Sequence, residues 1–112
     1  MVKIEAIIKP YTLERVRDAL VGAGVTGMTV YEVKGTGPIN GQHQVYRGAE
    51  YSESFFPNVK LETVVADDQA DKVVDVLAKA AKTGKSGDGK IFCYAIGQAV
   101  RIGNGQTGAQ AL

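Results

Sequence analysis

Twice along this chain an alternating apolar stretch runs into a helical stripe and then into a second alternating stretch, and that repetition limits the folds open to it. In the first unit Val2 to Lys9 reads as a strand. Ile4, Ala6 and Ile8 point one way and Lys3, Glu5 and Lys9 the other, with Ile7 the exception. Pro10 stops it. Thr12 is placed to cap a helix, and Glu14 falls in the first turn, where the helix dipole favours negative charge. Leu13, Val16, Leu20 and Ala23 recur at helical spacing, and Gly22 and Gly24 end the helix. Met28 to Lys34 is a second, β-branched strand. In the second unit Val59, Leu61, Thr63 and Val65 alternate with Lys60, Glu62 and Val64. Asp67 or Asp68 caps a second helix. Its stripe is the cleanest in the chain: Ala70, Val73, Val74, Leu77, Ala80 and Ala81, with Lys79 and Lys82 in the last turn. A glycine-rich turn, Thr83 to Lys90, leads to a fourth strand, Lys90 to Ile96. Gln98 to Ile102 has the pattern of a short fifth strand, and Gly103 to Leu112 that of a polar tail with turn chemistry.

The order β-α-β, long loop, β-α-β predicts an α+β, ferredoxin-like βαββαβ sandwich in which two helices cover one face of a four-stranded antiparallel sheet. A chain of 112 residues is one domain, residues 1–112. Nothing in the chain covers the other face of the sheet. Ala6 or Ile7, Val30 or Tyr31, Val64 and Phe92 put apolar side chains on both faces, which predicts a homo-oligomer packing its open faces together.

The bulk numbers exclude several classes. A net charge of +1 and a pI of about 7.8 leave no basic footprint for nucleic acid. No apolar run approaches the roughly 18 residues of a membrane span, so no membrane insertion is expected. Met-Val-Lys-Ile-Glu-Ala has no signal-peptide pattern, so a cytoplasmic location is the default. The single cysteine, Cys93, alternates with apolar neighbours and reads as a buried, inert thiol. His43 is the lone histidine, without metal-ligand spacing or a nucleophile–base partner. A regulatory or binding protein is expected, not an enzyme, with no catalytic and no metal-ligating residue.

Glycine is the compositional outlier, with 14 residues gathered mainly in Gly35–Gly48, Gly84–Gly89 and Gly103–Gly108. The first cluster lies in the loop 36–57, which has no sustained helical or strand period. Loops longer than roughly 12–15 residues are usually functional or disordered. This one carries Tyr46-Arg47-Gly48-Ala49-Glu50-Tyr51, whose aromatics and arginine suit interface anchors or fold back on the body. The second cluster holds Gly84-Lys85-Ser86, which is not a P-loop: Lys79 stands where that motif needs glycine, and the helix precedes the turn instead of following it. Glycines at 84, 87 and 89 still permit a backbone nest for anionic oxygens, with Lys85 and Lys90 adding charge; an ordinary solvated turn fits the same residues. Arg101 fits a phosphate fork or a surface charge.

These residues together resemble the PII nitrogen-regulatory signalling proteins. The resemblance runs from Lys3-Ile4-Glu5-Ala6-Ile7-Ile8-Lys9-Pro10 to Gly105. It is carried by Gly24-Val25-Thr26-Gly27-Met28-Thr29-Val30, by Tyr46 to Tyr51, and by Thr83-Gly84-Lys85-Ser86-Gly87-Asp88-Gly89-Lys90-Ile91-Phe92. It implies a homotrimer with clefts between subunits that bind ATP or ADP. The positions it implies for the nucleotide are Gly27, Met28, Thr29, Gly35, Gly37, Glu62, Val64, Gly87, Asp88, Gly89, Lys90 and Arg101, the arginine reaching over from a neighbour. The loop 36–57 is implied to be the family's T-loop, hinged at Gly35 and Gly37. It would dock ammonium transporters or enzymes of nitrogen metabolism through Tyr46, Arg47, Glu50 and Tyr51, with Tyr51 a modification site.

The chain departs from the family pattern at the base of that loop. Pro38 and Ile39 stand in place of arginine and glutamine, Asn58 in place of lysine, and Gly103 in place of a second arginine, while Lys9 is retained. The lost groups hold Mg²⁺, 2-oxoglutarate and phosphate in the family. The departures imply a regulator that keeps nucleotide binding and has lost or altered 2-oxoglutarate sensing. A sensor of bicarbonate or AMP at the same cleft, or a weak ATPase on the same fold, are the alternatives.

Overall fold

A computed structural model describes residues 1–37, 44–46, 49–51 and 55–112. Strand β1 spans Val2–Ile8, helix α1 Leu13–Gly22, β2 Thr29–Gly35, β3 Gln44–Tyr46, β4 Ala49–Tyr51, β5 Phe56–Val65, α2 Ala70–Ala81 and β6 Ile91–Ala95. Four strands form one antiparallel sheet in the order β2-β5-β1-β6. This is the α+β, ferredoxin-like arrangement that the repeated pattern predicts.

The alternation along β1 and β5 sets the core. Ile4, Ala6 and Ile8 on β1 and Val59, Leu61 and Val65 on β5 are buried on the side that meets the helices, against Val16 and Leu20 of α1 and Val73 and Leu77 of α2. Burying a side chain such as Leu61 stabilises by roughly 1.5–3 kcal/mol. Helix α1 ends in a Schellman motif, as its glycines predict. Gly24 takes φ 92°, Gly24 N–H donates to the Val21 carbonyl and Val25 N–H to the Leu20 carbonyl, each at 3.0 Å, and Val25 is buried beneath.

The helix starts differ from the sequence reading. Thr12 makes no side-chain cap. Pro10 opens a 3₁₀ turn, Pro10–Thr12, and the fully buried Thr12 hydroxyl donates back to the Lys9 carbonyl at 2.7 Å. Asp67 and Asp68 lie in a second 3₁₀ turn without a side-chain cap; Asp67 pairs with the Met1 α-amino group at 2.7 Å. A proline and a paired terminus outcompete capping at both places.

Three other expectations change. Strand β5 begins at Phe56, paired with Gly35, so the sheet reaches into what pattern alone reads as loop. That loop also holds a short hairpin, Gln44–Tyr46 against Ala49–Tyr51. Gln98 to Ile102 forms no fifth strand: Val100 makes an isolated bridge to Thr107, and Arg101 N–H donates to the Gln106 carbonyl at 2.8 Å. The tail folds back there and ends in a 3₁₀ turn, Gly108–Ala111. Cys93 is exposed, not buried, because β6 is an edge strand and the helices do not cover it.

The face of the sheet away from the helices is more polar than expected. Register puts Lys3 opposite Val64 and Tyr94, Glu5 opposite Glu62 and Phe92, and Lys60 opposite Tyr31. Tyr94 donates to Glu5 at 3.1 Å and Tyr31 to Glu62 at 3.2 Å. The Lys3 ammonium lies 4.6 Å from the Tyr94 ring centre, and the Lys60 ammonium 4.5 Å from that of Tyr31. Apolar Phe92 and Val64 sit among these paired charges instead of forming a continuous apolar surface.

Candidate functional site

The antiparallel register sorts the sequence-predicted residues into two groups. The first lies where β1 ends and β6 begins. Helix α2 stops at Ala81, and the glycine-rich turn carries the chain back to β6. Gly84 and Gly87 take φ of 80° and 88°, conformations that L side chains adopt only under strain. Gly89 serves another purpose. A Cβ there would stand 1.5 Å from the Ile7 carbonyl oxygen, and the Lys90 carbonyl accepts from Ile7 N–H at 2.9 Å. Only glycine lets the turn lie this close to β1.

Asp88 organises the turn. Its carboxylate accepts from Thr83 N–H at 2.9 Å, from the Thr83 hydroxyl at 2.5 Å and from Gly84 N–H at 3.1 Å. The Lys9 ammonium lies 3.3 Å from the same carboxylate, and also donates to the Ser86 carbonyl at 3.2 Å and to Thr83 Oγ1 at 3.4 Å. Desolvation pushes the Asp88 carboxyl up, but the Thr83, Lys9 and Gly84 donors together outweigh it and hold it down at about 2. Asp88 is therefore turned into its own loop, and Lys9, which sequence reasoning retained without a role, is its counter-ion. The one available signal was a lysine directly before the proline that stops β1.

Beside the turn is an open groove of about 270 Å³, floored by Ile7, Ile8, Leu77 and Ile91 and edged by Lys82, Asp88 and Lys90. The α2 residues in it read as core from their spacing, so nothing in the sequence marked them. Gly35 and Gly37 lie at this same end of the sheet. Gly35 is the last residue of β2 and is held in the ladder opposite Phe56, with the Asn58 amide nitrogen 2.9 Å from where a Cβ would be. It is a paired strand end, which moves the start of any hinge beyond it.

The second group gathers around β5, across β1 from the turn. Thr63 donates to the Gly27 carbonyl at 2.6 Å, Met28 packs on the core, and Thr29 opens β2 opposite Glu62. Glu62 and Val64 lie on the open face, half-buried among Lys3 and Lys60. Arg101 is exposed and donates to the Leu112 carbonyl at 2.9 Å. Glu62 pairs with Glu5 and Glu5 with Phe92, two residues past Lys90, so β1 alone lies between this group and the turn; Gly35 is six residues from Thr29 along β2, roughly 20 Å at about 3.3 Å per residue. Gly35 ends the β2 edge of the sheet and Gly87–Lys90 lead into the β6 edge, with β5 and β1 between them, while Gly27–Thr29, Glu62 and Val64 gather around β5.

Of the docking residues, Arg47 lies outside the described residues, as do Pro38, Ile39 and His43; Tyr46, Glu50 and Tyr51 are placed by the backbone of the hairpin alone. Among the described residues no group of three or more histidine, cysteine or acidic side chains could hold a metal ion, and no helix is long and apolar enough to cross a membrane.

A family model described as "Nitrogen regulatory protein P-II" matches residues 1–106. Among curated proteins, the "Nitrogen regulatory protein P-II" of Rhizobium etli is 50% identical over 109 residues, 97% of each chain. That of Pasteurella multocida is 49% identical over 112 residues, the whole of each chain. The "Nitrogen regulatory protein P-II 1" of Escherichia coli (strain K12) is 53% identical over 106 residues, 95% of each. All three carry the names of regulatory proteins, not of enzymes.

Proposed function

This chain belongs to the nitrogen regulatory protein P-II family, and from that premise we propose that it is a signal transduction protein of nitrogen regulation which reads adenine nucleotides in clefts between copies of itself. The glycine-rich turn carries this reading: Gly84 and Gly87 take positive φ and Gly89 lets the turn lie against Ile7, backbone suited to an anionic ligand. The turn runs along the β6 side of β1, and Glu62 and Val64 lie on the open face of β5 with β1 between; a second chain packed on that face would let one ligand touch both groups. A homotrimer satisfies this with three equivalent clefts. ATP or ADP would lay its phosphates along Gly87, Gly89 and Lys90 and receive Arg101 from the neighbouring chain, which must first leave the Leu112 carbonyl.

The loop 36–57 would act in the cytoplasm as the docking arm for an ammonium transporter or an enzyme of nitrogen metabolism, through Tyr46, Arg47, Glu50 and Tyr51, with Tyr51 open to modification. The co-ligand is altered. Asn58 carries no charge where the family has lysine, and the one lysine retained nearby, Lys9, is already paired with Asp88. Mg²⁺ and 2-oxoglutarate therefore lose their usual contacts, the isoleucine at 39 having no oxygen to offer.

Calorimetric titration of the purified protein with ATP, ADP and AMP, each with and without Mg²⁺, 2-oxoglutarate and bicarbonate, tests the reading. The expected result is binding of ATP and ADP that 2-oxoglutarate does not strengthen. No nucleotide binding overturns the proposal; MgATP-dependent binding of 2-oxoglutarate at millimolar levels or better overturns the loss of the co-ligand.

A further inference from the structure

The glycine-rich turn contains a complete anion site, and its occupant is part of the chain. Two backbone N–H groups, a hydroxyl and an ammonium surround the Asp88 carboxylate. That donor set is the one a phosphate oxygen would take. Filled by Asp88, it is closed to a ligand. Lys9 is equally committed: its three partners, Asp88, Ser86 and Thr83, all belong to the turn, and its side chain is only 15% exposed. The N–H groups of Gly87 and Gly89 take no part in this network.

We propose that Lys9 and Asp88 form a positioning pair. Asp88 serves as an internal anion that fixes Thr83 and Gly84, and Lys9 ties that half of the turn to the end of β1, so that the half from Gly87 to Lys90 is held ready for phosphate before any ligand arrives. On this assignment neither side chain touches the nucleotide. The close approach of Gly89 to Ile7 fixes the other end of the same segment, so the donor backbone is anchored at both ends. Groups held in place beforehand bind more tightly because less ordering remains to be done. The assignment rests on the nucleotide reading above for its purpose, but not for its geometry.

The test uses the full chain with Lys9→Gln, Lys9→Arg, Asp88→Asn and the double variant Lys9→Gln/Asp88→Asn. Amide exchange across residues 83–90 is followed in the ligand-free protein, and ATP affinity by calorimetry. Each neutral single variant is expected to speed exchange in the turn at least tenfold and to weaken ATP roughly ten- to hundredfold, the scale of a charge-assisted contact. Lys9→Arg is expected to keep both within about threefold, and the double variant to be no worse than the worse single, because the two act as one unit. Weaker ATP binding with unchanged exchange in the ligand-free turn would mean direct contact with phosphate and would overturn the assignment, as would additive losses in the double variant. If the wild-type protein binds no nucleotide, the proposed function fails, and the exchange measurements alone decide whether the pair holds the turn.

Discussion

Glu5 and Glu62 stand directly opposite one another on β1 and β5. Like charges in that relation destabilise a sheet, so the pair needs compensation, and the chain supplies it from four side chains. The Lys60 ammonium is 3.9 Å from Glu5 and 3.7 Å from Glu62, and Lys3 is 3.9 Å from Glu62. Tyr94 and Tyr31 each donate to one of the two carboxylates, and the Tyr94 phenol is pushed above its ordinary value, first by its hydrogen bond to Glu5.

Neutralising the bridge exposes the repulsion. Lys60→Gln is expected to lower unfolding stability by about 1–2 kcal/mol, since it leaves two half-buried carboxylates facing each other. Glu62→Gln in the same chain should recover most of that loss. Urea unfolding of the single and double variants checks it, at one fixed protein concentration because any assembly would add to apparent stability. Equal stability of Lys60→Gln and wild type would remove the role given to Lys60.

Gly89→Ala forces a Cβ into the Ile7 carbonyl. Strand β1 and the turn must separate, with loss of the hydrogen bond from Ile7 to Lys90. The expected cost is about 3 kcal/mol or more, in the range of severe overpacking. Gly97→Ala is the control, because nothing lies within 4 Å of its Cβ position and its φ is not positive; it should change stability by about 0.5 kcal/mol at most. Thermal unfolding of the two variants gives the comparison.

Asp88 sets an acid limb. Its folded value, about 2, is below the ordinary 3.8, so the folded state holds the proton less tightly than the unfolded state. The stability it contributes is complete above about pH 4 and is lost as pH falls from there towards 2. Asp88→Asn should flatten that part of the stability–pH curve and leave the rest of its shape alone. An unchanged acid limb in the variant would show that the carboxylate is not held as described.

The proposal that two chains share each nucleotide cleft is open to a complementation test. Lys90→Ala removes a turn-side group and Arg101→Ala one from the segment after β6. Neither variant alone should bind ATP at wild-type affinity. Mixed trimers refolded from equal amounts should regain roughly a quarter of the wild-type sites, since a head-to-tail cleft draws each half from a different chain at random. Recovery of no high-affinity sites would mean that each site lies within one chain.

Much of this fold can be read from two periods in the sequence. Ile4, Ala6 and Ile8 mark β1, and the stripe from Ala70 to Ala81 marks α2, because burial on one face leaves a regular trace. Register leaves none. The opposition of Glu5 to Glu62 depends on which strands pair and in what alignment, and so does the pairing of Gly35 with Phe56 that carries β5 past its periodic part. Contacts distant in sequence are equally silent: Lys9 and Asp88 are 79 positions apart and meet only because β1 and the turn share one end of the sheet. The glycines of the turn are there for a mixture of reasons, Gly84 and Gly87 for their dihedral angles and Gly89 for its neighbour. Caps failed as signals where Pro10 and the α-amino group offered stronger local alternatives.

The ladder contact between Gly35 and Phe56 has a consequence for how such a chain can change over time. The two ends of the segment between them are joined by the sheet itself, so the body does not register how long that segment is or what it carries. Loop-closure entropy grows only slowly with length. Insertions and replacements inside 36–55 are therefore nearly free of cost to the fold, and what that segment meets can be rewritten as one exchangeable cassette while the body stays as it is.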